Sequence, residues 1–339
     1  MQKRVTIREV AEEVGVSVTT VSLVLNGKAA NIPLCTKKRI EEVADKLNYR
    51  PDFTARSLVT GKTHTVGVII PDITNTFFSE MVRHVQIELN KSGYDIILCN
   101  SEEQMANDVK YLRWLSARKV DGVLLTLSAE SMEEQNRDKI SSQLEALNVP
   151  YLFVDRYFKS DAPMVMIDNE NGGKKVAELL VGAGHKNIGV ITGPMSLNSS
   201  CNRLKGFCDQ LAKNGISLPK ENVVYGKYNM ESGRQGAIRL LSAGVTAIFA
   251  FNDMQAYGAI GVLKENDVKI PEEVSVVGFD DDVFSTIVEP KLTTVKQPVM
   301  QMSHEICAMM MAMLGDEKHE KQVKLSTELV VRDSVKVIK

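Results

Sequence analysis

The sequence predicts a multidomain chain. A small all-α helix-turn-helix head leads through a short hinge into a two-lobed α/β body built on doubly wound parallel sheets. Three observations carry that prediction. The first sixty residues hold three short helical patterns arranged around a glycine turn. From residue 65 onward, short apolar runs alternate with amphipathic stretches, the pattern of parallel strands with helices on both faces. There are about ten such runs, more than one sheet usually holds, so two lobes are expected. At 339 residues, with 44% apolar and 25% charged side chains, the chain is long enough for two or three cores; collagen-like, coiled-coil and wholly disordered classes are excluded. No apolar run approaches the roughly 20 residues of a membrane span. The opening Met-Gln-Lys-Arg-Val-Thr-Ile-Arg-Glu has no apolar core of a secretion signal, and a cytoplasmic location is expected. The five cysteines are scattered without a CxxC pair, which argues against a disulfide framework or a zinc site.

The head is read element by element. Thr6-Ile7-Arg8-Glu9 forms a capping box, and Ile7, Val10, Ala11 and Val14 make the apolar stripe behind it. Gly15 supplies the left-handed turn that ends this helix. Ser17 caps a second helix, Val18 to Leu25, which runs out at Asn26-Gly27. A third helix, about Thr36 to Leu47, carries Ile40, Val43, Ala44 and Leu47 at core spacing. Residues 1–62 hold 11 Lys and Arg against 7 Asp and Glu, whereas the whole chain has a net charge of -2. A basic head on an acidic body suits local phosphate binding. A recognition helix must present short polar side chains at its N-terminal end, and Ser17, Thr19, Thr20 and Ser22 meet that need. The same pattern is compatible with a plain three-helix bundle in which these residues are caps and solvated surface.

In the body, open α/β sheets bind ligands beyond the carboxyl ends of their strands, so the residues following each apolar run carry the chemistry. Pro71-Asp72-Ile73-Thr74-Asn75-Thr76-Phe77-Phe78 follows the first run, and Asp155-Arg156 the fourth. Arg203 opens the helix after Ile191-Thr192-Gly193-Pro194, while Asn252-Asp253 and Asp280 end two later runs. Carboxylates and an amide accept from sugar hydroxyls, a guanidinium donates in a planar fork, and an aromatic face packs on a sugar ring. Strand-end Asp and Asn are also ordinary helix caps, the reading preferred for Asp253. Other features carry no chemistry. Thr60-Gly61-Lys62-Thr63 imitates the tail of a phosphate loop, but Arg56 stands where its first glycine belongs. Six methionines between Met300 and Met313 read as adaptable helix filler. With no GxSxG, HExxH or paired-carboxylate motif, neither an enzyme nor a cofactor or metal is expected.

Thr-Ile-Arg-Glu-Val-Ala-Glu-Glu-Val-Gly-Val-Ser-Val-Thr-Thr-Val-Ser-Leu-Val-Leu-Asn-Gly, followed by Thr36-Lys37-Lys38-Arg39-Ile40 and Leu47-Asn48-Tyr49-Arg50-Pro51, resembles the lactose/galactose repressor (LacI/GalR) family, and the resemblance extends over essentially the whole chain, most like its sugar-responsive members. It implies a DNA-binding domain at 1–50, a hinge helix and linker at 51–63, and an effector-binding and dimerisation domain at 64–339. Within the last, it implies a periplasmic-binding-protein-like pair of lobes, about 64–162 with 292–323 and about 163–291 with 324–339. By position, Val18, Thr19 and Leu23 fall on the base-reading places, and Thr6, Ser17, Thr20, Ser22 and Asn26 on phosphate-touching ones. Leu58 matches the apolar wedge inserted into the minor groove, with Ala55 and Arg56 beside it. Asp72, Phe77, Asp155, Arg203, Asn252 and Asp280 match effector positions.

The resemblance thus implies a homodimeric repressor on pseudo-palindromic operator DNA, switched by a small effector, most plausibly a sugar. Purine-type members carry an Arg-x-Thr before the shared Arg, and Leu197-Asn198-Ser199 lacks that Arg. A purine-type corepressor, a phosphorylated sugar or a protein coregulator are the alternatives, and a solute-binding receptor is the rival of another class. Nothing in the residues fixes whether the effector induces or corepresses.

Leu23 departs from the Arg, His or Tyr common at its place. Leucine cannot donate to guanine and can only pack on a thymine methyl or exclude polar edges. Leu23→Arg is expected to change base preference at one operator position more than overall affinity, as measured by selection from a randomised operator pool. Equal changes on all operators would contradict this.

Overall fold

A computed structural model describes residues 5–25, 29, 31–49, 61–158 and 161–338. The chain divides into two compact units, Met1–Thr63 and His64–Lys339. Asn26 and the hinge residues Ala55, Arg56 and Leu58 lie outside the described residues.

The first unit contains α1 (Ile7–Val14), α2 (Val18–Leu25) and α3 (Leu34–Lys46). Both halves of the Thr6–Glu9 capping box form, and Gly15 ends α1 at φ 79°. Ser17 accepts from the Thr20 amide at 3.1 Å and so caps α2. The three helices bury Val10, Val14, Val21, Val24, Ile40 and Ala44 against one another. Helix α3 starts two residues before the expected position, because Pro33 pre-sets the backbone that enters it.

The second unit holds two six-stranded sheets. The first has the order β11-β5-β4-β3-β1-β2, built from β1 (Thr65–Ile70), β2 (Asp95–Asn100), β3 (Gly122–Leu125), β4 (Tyr151–Val154), β5 (Met164–Ile167) and β11 (Gln322–Leu325). The second has the order β12-β10-β9-β8-β6-β7, from β6 (Ile188–Thr192), β7 (Val223–Tyr225), β8 (Ala247–Ala250), β9 (Ser275–Asp280), β10 (Thr293–Lys296) and β12 (Glu328–Val330). All pairings are parallel except β10 with β12, which is antiparallel.

Strand alternation directs successive residues to opposite faces, and both faces are covered. In the first lobe Val66, Val68 and Ile70 pack on α4 (Thr76–Lys91) and α11 (Val299–Leu314); Ile69 packs on the opposite side with α5 (Met105–Ala117) and α6 (Glu134–Glu145). In the second lobe α7 (Asn169–Gly182) and α8 (Asn198–Lys213) cover one face, and α9 (Met230–Ser242) and α10 (Asp253–Glu265) the other. Met302, Met309 and Met310 fill the core between α11 and its sheet, whereas Met300 is exposed. Among the described residues no helix is long and apolar enough to cross a membrane.

The chain crosses between lobes later than the expected 162, 291 and 323. Met164–Ile167 pairs with β4 in the first sheet, so the first crossing falls at Asp168. Thr293–Lys296 pairs with β9 in the second sheet, which moves the second crossing to Gln297-Pro298. The last lies between β11 and β12, two short edge strands whose mixed charged and apolar residues gave no strand pattern.

Helices α7 and α8 approach until backbone meets backbone. A Cβ built on Gly173 would lie 2.1 Å from the Arg203 carbonyl oxygen, and one on Gly206 would lie 1.9 Å from that of Glu170. The Gly173 contact matters for the site, because Arg203 itself stands on α8. Gly206→Ala is expected to push the helices apart and cost about 1–3 kcal/mol, read as a lowered urea midpoint. An unchanged midpoint would show that the helix pair yields freely.

Candidate functional site

On the head, Val18, Thr19 and Leu23 form the exposed face of α2, with Val18 41% and Leu23 39% exposed. Apolar side chains are left in water here, at the helix that the helix-turn-helix geometry presents. Thr6 and Ser17 are exposed at the first turns of α1 and α2, where amide groups and short hydroxyls suit phosphate oxygens; Thr20 and Ser22 are half-buried. Thr6 and Ser17 therefore also serve as helix caps.

In the body, the carboxyl ends of both sheets face a narrow chamber between the lobes. Its walls include Asn75, Phe77, Phe78, Asp155 and Arg156 from the first lobe, and Ser199, Arg203, Tyr228, Asn252 and Asp280 from the second. Gln297, on the second crossing, closes it. A wider outer chamber shares Asn75 and Tyr228 with it and is lined by Asp72, Glu103, Glu130, Glu133 and Lys227.

Arg203 is 4% exposed. Its Nε donates to Asn169 Oδ1 at 2.7 Å, its Nη1 donates to the Phe251 carbonyl, and its guanidinium lies 3.6 Å from the Phe279 ring centroid. Arg156, 1% exposed, donates from both Nη atoms to the two Glu103 oxygens at 2.9 Å each and from Nη1 to the Leu127 carbonyl at 2.8 Å. Among the described residues, three buried polar atoms of the inner chamber have no protein partner: Asp155 Oδ1, Arg156 Nε and Gln297 Oε1. The Asp280 carboxylate accepts from Gln297 Nε2 at 2.6 Å.

Burial raises the Asp155 and Asp280 carboxyls above the ordinary range, and the nearby Arg203 opposes it in both cases. Asp253 lies beneath, fully buried, accepting from Thr294 Oγ1 at 2.6 Å and from the Asp282 amide at 3.0 Å; burial pushes its carboxyl up to about 7. Asp155 and Asp280 take φ of 61° and 135°, a region that side-chain-bearing residues enter only under constraint. Such strain costs of order 1–3 kcal/mol per residue and tends to persist where side-chain aim matters.

Of the six expected effector residues, Phe77, Asp155, Arg203, Asn252 and Asp280 meet in the inner chamber, while Asp72 lines the outer one. Asp72 is occupied locally, accepting from the Thr74 amide and hydroxyl at 2.8 and 2.7 Å. Asn252 also caps α10, accepting from the Gln255 amide at 2.9 Å, so the capping role expected of Asp253 falls one residue earlier. Arg156, Tyr228 and Gln297 were not singled out. Arg156 adjoins Asp155, and the other two follow β7 and β10, strand ends to which the same rule applies.

Residues 6–52 match the family described as bacterial regulatory proteins, lacI family, and residues 63–333 match periplasmic binding proteins and sugar binding domain of LacI family. The HTH-type transcriptional repressor PurR of Photobacterium profundum is 32% identical over 98% of both chains. The lac repressor dimer bound to operator and the anti-inducer ONPF is 26% identical, with a TM-score of 0.87 over 98% of this chain and 100% of that one. A LacI family regulator from Enterococcus faecium with bound ribose is 27% identical, with a TM-score of 0.71 over 81% of this chain and 100% of that one.

The buried Asp253 makes a pH prediction. A carboxyl whose folded pKa lies above its unfolded value binds its proton more tightly in the native state, so its ionisation costs stability increasingly from about pH 4 to about pH 7 and by a constant amount above. Asp253→Asn removes that ionisation. Between pH 4.5 and pH 7.5 the parent is expected to lose more of its guanidinium midpoint than the variant; parallel profiles would refute the assignment.

Proposed function

The chain belongs to the LacI family of bacterial regulatory proteins and is a DNA-binding transcriptional repressor with an effector-binding domain, and from that premise we propose that its effector is a sugar held in the inner chamber. The observation that carries the proposal is the pair of buried acceptors left without partners, Asp155 Oδ1 and Gln297 Oε1. A buried acceptor without a donor costs about 1–3 kcal/mol, and sugar hydroxyls supply donors that are also acceptors. Arg156 Nε donates in return, and Phe77, Phe78 and Tyr228 offer aromatic faces to the C–H surface of the ring. The ribose-bound regulator from Enterococcus faecium is consistent with this reading.

The repressor acts in the cytoplasm as a homodimer, without catalysing turnover, and its two heads read the halves of a pseudo-palindromic operator. The effector touches both lobes and so favours the arrangement in which they are closed upon it; it moves the DNA equilibrium only by its different affinity for the two states.

A thermal-shift screen of the full chain against free sugars and against purine bases and nucleosides tests the proposal. At 100 times its dissociation constant a specific ligand adds about 2.7 kcal/mol to the native state, a rise of several degrees. One pentose or hexose is expected to give that rise, and Arg203→Ala to abolish it. A purine response with silence among the sugars would replace the sugar by a purine-type corepressor.

A further inference from the structure

We propose that Glu103 sets the charge class of the effector, by occupying the guanidinium fork of Arg156 so that the inner chamber takes an uncharged sugar and turns away phosphorylated or acidic ones. The inference rests on the inner chamber being the effector site. Arg156 is almost wholly buried in the chamber wall, and an unoccupied guanidinium there would be a ready receptor for phosphate or carboxylate. Both of its Nη atoms are instead held by the two Glu103 oxygens, at 2.9 Å each, and Nη1 is shared with the Leu127 carbonyl. Nε is the guanidinium nitrogen without a partner. A single N–H serves one hydroxyl oxygen and cannot grip an anion in the bidentate manner.

Among the described residues, Lys227 on the outer chamber is the one cation beside Glu103 there, and the charges of the inner chamber point the same way as the occupied fork. Arg203 is engaged at Nε by Asn169, at Nη1 by the Phe251 carbonyl and on its face by the Phe279 ring. Asp155 and Asp280 face the same small space. An entering phosphate would meet two carboxylates there and a third at Glu103, which lines the outer chamber next to it. Glu103 is itself fixed from several sides. Its Oε2 also accepts from the Ala129 amide at 2.6 Å, and the backbone at Glu102 and Glu103 takes φ of 55° and 56° in succession. Two consecutive left-handed residues with side chains are an unusual expense for a turn, consistent with a carboxylate aimed at one target. Glu103 therefore positions Arg156 and filters charge while standing outside the inner chamber.

The test uses the full chain as parent, Glu103→Gln, Glu103→Ala and Glu103→Asp, with three probes: inorganic phosphate, D-ribose and D-ribose 5-phosphate. Calorimetric titration and thermal shift are read together. The Gln and Ala variants are expected to bind both phosphate probes about tenfold or more tighter than the parent, and to lose affinity for the neutral sugar. Glu103→Asp keeps the charge and is expected to keep the parent's preference. If removing the carboxylate lowers stability, added phosphate should raise the melting temperature of the Ala variant well beyond its effect on the parent, which a merely structural role would not produce. No gain in anion binding or anion rescue in either variant overturns the proposal. Because inorganic phosphate needs no sugar site, a parent that ignores every sugar counts against the sugar reading, while the phosphate comparison still decides the role of Glu103.

Discussion

The guanidinium of Arg203 lies over the Phe279 ring, 3.6 Å from its centroid, and bonds Asn169 and the Phe251 carbonyl, with almost no access to water. An ionised group in such a place is tolerated only if every direction is answered, by dipoles, by a π face or by opposite charge. Asp155 and Asp280 supply the opposite charge, and they sit at the ends of strands in different sheets. The arrangement therefore depends on both lobes at once. Deeper in the second lobe, Asp253 and Asp282 absorb the next layer of the problem through Thr294, Tyr257 and backbone amides.

The same requirement ties the lobes together. Thr76 donates to Asp282 across the cleft at 2.9 Å, and Asn198 bonds the Asp155 carbonyl and the Tyr157 amide. Leu197, on the loop entering α8, is fully buried in the apolar cluster of the first lobe. Closure thus has its own contacts, independent of any ligand, and an effector in the proposed site would add what the unpartnered Asp155, Arg156 and Gln297 atoms and the aromatic faces can still gain. That increment is the free energy available for shifting operator affinity, because contacts made equally in both states shift nothing. Gln297 has a special position in this scheme, since it lines the chamber and stands on a segment joining the lobes.

Local chemistry was the readable part of the sequence. The Thr6–Glu9 box, the Gly15 turn, the α4 stripe of Phe78, Met81, Val82, Val85 and Leu89, and ten of the twelve strands follow from periodicity and capping alone. Strand-end reasoning led to Arg203, Asp155 and Asp280, because parallel sheets present their carboxyl ends together. Non-local facts were beyond it. Strands β11 and β12 exist because edges were available to pair with, and their own residues show little preference. Arg156 appeared as a neighbour of Asp155, but nothing linear connects it with Glu103, 53 residues away, and the pairing depends on how β4 and β2 flank the β3–β1 pair within the first sheet.

The strained residues link these levels. Glu103, Asp155 and Asp280 all hold positive φ although none is glycine, and all three end or follow strands at the cleft. Glycine would relieve the backbone at each position, so the carboxylate is what the strain maintains. For Asp253, whose backbone is helical, no such tension exists; its carboxyl is consumed by Thr294 and the Asp282 amide. At the cleft, backbone conformation thus sets Asp155 and Asp280 apart from the helical Asp253 that supports them, a distinction that residue type alone cannot make.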